Sequence, residues 1–307
     1  MKSNRLAFTD FEGPFVTHGI DVIEDPEQED AVYIFAVNHL PNPAYFQAGE
    51  PAGVHKARSQ VELFHHVLES QTIQHVRSIY HPLVETPNDI YADSPVSFYV
   101  TNDHFYREGV MRHIEDVWPS AKWSSIIHVQ ITDLSKEASV EASVALTGLW
   151  NNNGLGHGRT DEEMIISSAI GGELYISALQ SNHSIEIQTT IPFDTVTDNP
   201  SYYADPYRTD ADDASGFVVA GISQGIYLPS NAKDENATDP SQVWYTRFQS
   251  DTGIWEKKLL FEDDGTRIRT ASAAVLVPVE PQGGKKLAWL FVTGFMSERM
   301  IAVQVEL

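Results

Sequence analysis

MIISSAIGGELYISA, residues Met164–Ala178, decides the fold class. Met164-Ile-Ile-Ser-Ser168 and Leu174-Tyr-Ile-Ser-Ala178 are short apolar runs rich in strand-forming residues, and they flank Gly171-Gly172, a hairpin signature. The same grammar recurs in both directions. Toward the N-terminus lie Ala31–Val37, Val96–Val100 followed by the turn Thr101-Asn-Asp103, and Ser124–Ile131. Toward the C-terminus lie the alternating Ile185–Thr189, a pair formed by Phe217–Ala220 and Gly225–Leu228, the runs Ala274–Pro278 and Leu287–Val292 around Gly283-Gly284, and Ile301–Val305. Helix is scarce. Its best candidate is Tyr106–Trp118, where Val110, His113, Ile114 and Val117 share one face. Many short strands with Gly, Asn and Asp turns indicate a sandwich or a propeller. At 307 residues the chain is long for a sandwich and suits six blades. The expected architecture is therefore all-β, a single six-bladed β-propeller domain over 1–307 with one or two short helices. Asp198–Ser215 reads as a polar loop rather than a domain boundary.

Composition limits the function classes. Lys plus Arg number 20 against 43 Asp plus Glu, a net charge of −23. Such a surface repels phosphate backbones and anionic membranes, so nucleic acid is not an expected partner. It suits divalent cations and neutral or cationic small molecules, although acidity also serves solubility. There is no cysteine, which excludes disulfides, thiolate chemistry and Cys-ligated zinc. Two sequons, Asn182-His183-Ser184 and Asn236-Ala237-Thr238, matter only in a secreted protein. Residues 1–12 have no apolar core of a signal peptide, and no apolar run approaches a membrane span.

Small polar motifs stand out because each is read as a turn beside a strand. They are His18-Gly19-Ile20, Asn38-His39, Asn88-Asp89-Ile90, Asn153-Gly154-Leu155 and Asp198-Asn199. Asn88, Asn153 and Asp198 stand 65 and 45 residues apart, about one blade or a little more per step. In a propeller such positions meet around the axis. A ring of amide and carboxylate oxygens suits calcium, whereas zinc or copper would want more His or Cys. Singly, each motif is ordinary turn chemistry.

Their order and context resemble the paraoxonase/arylesterase family. His18-Gly-Ile20 and Tyr33-Ile-Phe-Ala-Val-Asn-His39 are similar to its HGI and VVNH segments. Ser59-Gln-Val-Glu-Leu-Phe64 resembles its STVELF strand. Pro87-Asn-Asp-Ile90 with Phe98-Tyr-Val-Thr-Asn-Asp-His104 resembles its LNDI…FYGTNDH run, the most specific match. Asn152-Asn-Gly154, Val196-Thr-Asp-Asn199, Asp264-Gly-Thr266 and Ala271–Val275 resemble later segments, so the likeness runs from about residue 14 to the end. The resemblance implies a calcium-dependent hydrolase of lactones and aryl esters. By it, Asn88, Asn153, Asp198 and Asn199 would ligate a catalytic calcium, and Asp89 with the backbone carbonyl of Ile20 a second, structural one. His18 would be the general base that activates water, with His39 its partner in a dyad. The physics agrees: a metal cation stabilises the oxyanion of ester hydrolysis, and an imidazole takes a proton near neutral pH. For His104, His113 and His157 the alternatives are a place lining the site and a surface or turn role, the latter favoured.

The family carries a Glu-Asp pair upstream of its HGI motif that binds both calciums; only 17 residues precede His18 here, and none forms such a pair. The cysteines of its closing disulfide and its later His-Pro lining motif are also missing, Val218–Gly225 standing in that place. The expectation is a chain whose first blade is incomplete, with a secreted or membrane-anchored form if an N-terminal segment is missing. Two alternatives follow: a non-catalytic propeller binding module with a degenerate metal site, and a metal-independent enzyme similar to strictosidine synthase. A rival catalytic motif, Gly221-Ile-Ser-Gln-Gly225, matches G-x-S-x-G. A nucleophile elbow needs a helix after it. Ile226-Tyr-Leu-Pro229 reads as another strand, so Ser223 is expected in a hairpin turn.

Overall fold

The structure, a computed structural model, describes residues 4–49, 51, 53–136, 139–210 and 212–307. It consists of two compact units, Met1–Asn152 with Ser181–Ile185, and Asn153–Gln180 with Glu186–Leu307.

The unit of construction is an antiparallel meander. In the first sheet, β2 (Thr17–Asp25), β3 (Gln28–Pro41), β4 (Ala57–Val67) and β5 (Thr72–Ile79) follow one another, and β1 (Ala7–Thr9) adds in parallel to the outer edge of β5. The second meander is β6 (Pro87–Ser94), β7 (Ser97–Asn102), β8 (Ser124–Ile131) and β9 (Val140–Leu149). The third is β10 (Asn152–His157), β11 (Glu163–Ser168), β12 (Glu173–Leu179) and β13 (Ile185–Pro192). The fourth is β14 (Val196–Tyr203), β15 (Gly216–Ile222), β16 (Ser241–Gln249) and β17 (Ile254–Asp263). A fifth, β18 (Ala271–Gln282), β19 (Lys285–Gly294) and β20 (Ile301–Glu306), has three strands and joins β14 through one parallel bridge, Asn199↔Ala273. The four-stranded meander is the blade of a β-propeller, the expected class, and five meanders run in order along the described residues, one fewer than the six blades expected. The hairpin read from Gly171-Gly172 pairs Glu163↔Ala178 through Ser168↔Glu173.

Inner strands such as β7, β11 and β15 are covered on both faces, so they read as nearly continuous apolar runs, whereas outer strands such as β13 and β20 alternate. On β3, Phe35 and Val37 point into one core with Val61 and Leu63 of β4, where they meet Phe98, Val100 and Ile127 of the second sheet. The Phe35 and Phe98 rings lie 5.2 Å apart. The alternate residues Ile34 and Ala36 join Phe64, Phe11 and Phe15 on the opposite face. Each Phe or Leu buried in this way contributes roughly 1.5–3 kcal/mol. The second unit has its own cores, one around Val218, Val243 and Leu290 and one around Ile165, Ile176 and Phe217.

Three expectations are corrected. The helix Tyr106–Trp118 is shorter: α2 runs Val110–Val117 after the short α1 (Pro43–Gln47), because Gly109 enters at φ 86° and the preceding Phe105 and Tyr106 amides are held by the Glu115 side chain. Gly225–Leu228 is not a strand paired with Phe217–Ala220. It is a 3₁₀ turn (Gly225–Tyr227) leading into α3 (Leu228–Asn231), with Pro229 in the first helical turn, where its missing N–H is harmless; β15 pairs instead with β14 and β16. Asp198–Ser215 is loop only after Tyr203, since its first residues belong to β14.

Candidate active site

The polar motifs lie in strands rather than turns. His18-Gly19-Ile20 is on β2, Asn88-Asp89 on β6, Asn153-Gly154 on β10 and Asp198-Asn199 on β14: in each case the first strand of its meander. Three of them sit in breaks of strand register, between Thr17 and Ile20, Pro87 and Ile90, and Thr197 and Pro200. Such a bulge places an extra residue opposite one partner and re-aims its side chain. That is why these stretches look like turn chemistry in sequence. A fourth irregularity, at Ser272 of β18, marks a position that sequence reading did not single out.

In the first unit the expected residues of β2, β3 and β6 come together. A Cβ on Gly19 would stand 2.5 Å from Asp89 Cα and closer still to the Asn88 carbonyl and Asp89 Oδ1. Only glycine lets β2 pass this near to β6. His18 Nδ1 lies 3.2 Å from His39 Nε2, and His39 Nδ1 lies 2.8 Å from Ser59 Oγ. Which nitrogen carries each proton depends on the tautomers. Asn38, fully buried, fixes this corner: its Oδ1 accepts from Val16 N at 2.9 Å and its Nδ2 donates to Glu62 Oε1 at 2.9 Å. Glu62 in turn accepts from Gln60 and Ser78 and contacts His75.

The two histidines open on a cavity of about 170 Å³ whose lining includes Ser59, Asp103, Arg107 and Arg112. Burial lowers the basicity of His18, with Asp103 opposing and Arg112 adding to the effect. Burial, then the neighbouring His18, brings His39 down to about 4. Burial thus favours the neutral form of both imidazoles, the form a general base starts from. In the sequence Asp103 stands only as part of a turn and of the Thr101-Asn-Asp-His104 run. Burial works against its charge, but the hydrogen bond and charge of His104, then Arg112 and Asn88, outweigh it and hold its carboxyl below the usual range. His104 is not a surface residue, contrary to expectation. It is buried with Nδ1 3.1 Å from Asp103 and Nε2 2.6 Å from Asp116; burial opposes its charge, yet the two carboxylates raise it to about 9. His113 and His157 are exposed, as expected.

In the second unit, Asn153, Asp198 and Asn199 occupy neighbouring strands. A Cβ on Gly154 would stand 2.7 Å from Asn199 Cα, and Asn199 bridges to Ala273 beside Ser272. Among the described residues no three His, Cys, Asp or Glu side chains cluster as a metal site. The buried donors Asn88 and Asp89 are instead an amide and a carboxylate with the β2 backbone pressed against them. Amide and carboxylate oxygens are the donor type that hard cations take. The rival Ser223 hydroxyl has the Pro240 carbonyl as its partner at 3.5 Å, not an imidazole, and its amide donates to the same carbonyl at 3.0 Å. A short helix does follow the motif, but among the described residues no imidazole or carboxylate is hydrogen-bonded to the Ser223 hydroxyl.

Blade meanders whose first strands carry ionisable and oxygen-donor side chains define the class: a protein of the β-propeller type. More narrowly, residues 11–211 match the arylesterase family, and the chain belongs to that family. It is 25% identical over 189 residues to serum paraoxonase/arylesterase 2 of Gallus gallus, covering 62% of this chain and 46% of that protein. Against serum paraoxonase/arylesterase 2 of Homo sapiens it is 24% identical over 222 residues, covering 71% and 53%. The chain thus spans about half the length of the curated relatives it matches. Among solved structures, the periplasmic gluconolactonase of Pseudomonas aeruginosa aligns with 90% of this chain and 67% of its own at 11% identity and a TM-score of 0.42, too distant to carry an argument. No helix among the described residues is long and apolar enough to cross a membrane.

Proposed function

We propose that this chain is a calcium-dependent hydrolase of lactones and aryl esters in which His18 activates water and His39 is its partner. The observation that carries this reading is the 3.2 Å contact between His18 Nδ1 and His39 Nε2 beside a cavity, with burial favouring the neutral form of both imidazoles. Membership of the arylesterase family supports the reaction class. In the proposed reaction, His18 Nε2 takes a proton from a water whose oxygen attacks the acyl carbon. The proton passes to the departing alkoxide or phenoxide as the acyl C–O bond breaks. His39, tied to Ser59 Oγ, orients His18 and shares its proton. Asp103 contributes a fixed negative charge that favours the protonated dyad as it forms. Asn88, Asn153, Asp198 and Asn199 would hold a catalytic calcium, and Asp89 with the Ile20 carbonyl a structural one. Calcium, when bound, supplies a positive charge that polarises the ester carbonyl.

The test is hydrolysis of phenyl acetate and of γ- and δ-lactones with added calcium and with EDTA. Turnover that EDTA removes and calcium restores is the expected result. Turnover indifferent to EDTA would overturn the calcium dependence, and none on any substrate in calcium would overturn the hydrolase reading for this chain.

A further inference from the structure

We infer that the His18–His39 cavity selects esters and lactones that carry a carboxylate, recognised by Arg107 and Arg112; this rests on the hydrolase reading and names its substrate class. The chain as a whole is strongly acidic, at −23, which by itself disfavours an anionic substrate. Yet two guanidiniums line this cavity together with the histidine pair. Charges in water are screened beyond about 8 Å at physiological salt, so the cavity's own side chains decide what enters it, not the distant surface.

Both arginines have donors to spare. A guanidinium has five N–H donors in a planar fork. Among the described residues, Arg107 spends one on the Ala57 carbonyl at 3.3 Å, and its Nε is buried without a hydrogen bond. The Glu85 carboxylate, half exposed, stays 3.9 Å away. Arg112 reaches the Tyr106 carbonyl at 3.4 Å and stands 3.7 Å from Asp103, whose charge His104 already answers at 3.1 Å. Arg269 shows what a structural arginine looks like in this chain: its Nε, Nη1 and Nη2 are all engaged, by Asp239, Asp234 and Asn231. Arg107 and Arg112 are held near the histidines with their forks largely unspent, and a carboxylate matches that fork with two parallel hydrogen bonds. The signal was present in sequence as REGVMR, but a helix read only for its apolar face hides it.

The test compares 4-acetoxybenzoate with phenyl acetate as substrates, and in parallel the binding of 4-hydroxybenzoate and its neutral amide by calorimetry. Wild type is expected to favour the anionic ester in kcat/KM by about tenfold or more. The double variant Arg107→Gln/Arg112→Gln should bring that ratio close to one, whereas Arg107→Lys/Arg112→Lys keeps part of it. A wild-type ratio at or below one, or a ratio unchanged in the Gln variant, would overturn the inference. If neither ester is turned over, the hydrolase reading falls and the binding arm decides alone. Tighter binding of the acid than of the amide, lost in the Gln variant, supports carboxylate recognition; equal binding overturns it. Circular dichroism and a melting curve on both variants separate loss of charge from loss of fold.

Discussion

At the scale of single residues, His104 makes the sharpest prediction about stability. Its folded value is about 9 against an ordinary value near 6.5, because the Asp103 carboxylate 3.1 Å from Nδ1 and the hydrogen bond to Asp116 outweigh burial. A raised value means that the folded state binds the proton more tightly than the unfolded state. The stabilisation is then complete below pH 6.5 and is lost as pH rises through 9. Melting temperature should fall between pH 6.5 and 9.5 by about 2–5 °C more in wild type than in His104→Gln. Equal slopes in the two proteins would show that the imidazolium is not held. Residue identities were legible where a motif carried them: His18, His39, Asn88 and Asp89 come together in one corner of the first unit. What was not legible was the company they keep. Ser59 reaches the same cavity from β4, Asp103 and Arg107 from the segment between β7 and α2, and Arg112 from α2 itself, and no local pattern announces that meeting.

At the scale of elements, the main discrepancy between sequence and structure has one cause. Asn, Asp and Gly beside apolar runs are turn formers, and in the sequence they signal turns. In the folded chain three of the motifs occupy strand bulges, where the same residues tolerate the irregular backbone and aim polar side chains away from the sheet's repeat. The strands were legible because their apolar runs are nearly continuous; the 3₁₀ turn and α3 after Gly225 were not, being too short to show a helical period. Gly19 tests the element-level account. Gly19→Ala drives a methyl group into the β6 backbone at Asn88 and Asp89. It should cost about 1–3 kcal/mol, the usual range for overpacking, and lower activity by separating β2 from β6. A Gly19→Ala protein with unchanged melting temperature and activity would show that the close approach is not required.

At the scale of the whole molecule, class was easier to read than detail. Short strands, Gly-rich turns and a single weak helix imply an all-β fold of blades, and five meanders answer that expectation among the described residues. The charge balance was equally plain, and it carries a prediction. A net charge of −23 repels itself most in the compact state. Raising sodium chloride from about 10 mM to 150 mM shortens the screening length from about 30 to 8 Å, so melting temperature should rise. A melting temperature that falls with salt would mean that attractive ion pairs, such as Arg269 with Asp239, outweigh the surplus of carboxylates. The central claim is that hydrolysis runs through the histidine pair, and the most direct measurement is kcat for phenyl acetate in calcium for wild type and His18→Asn side by side, with melting curves on both. The account predicts a loss of about 10²–10⁴-fold, the usual worth of a general base, with the fold intact. Equal rates in the two proteins would contradict it.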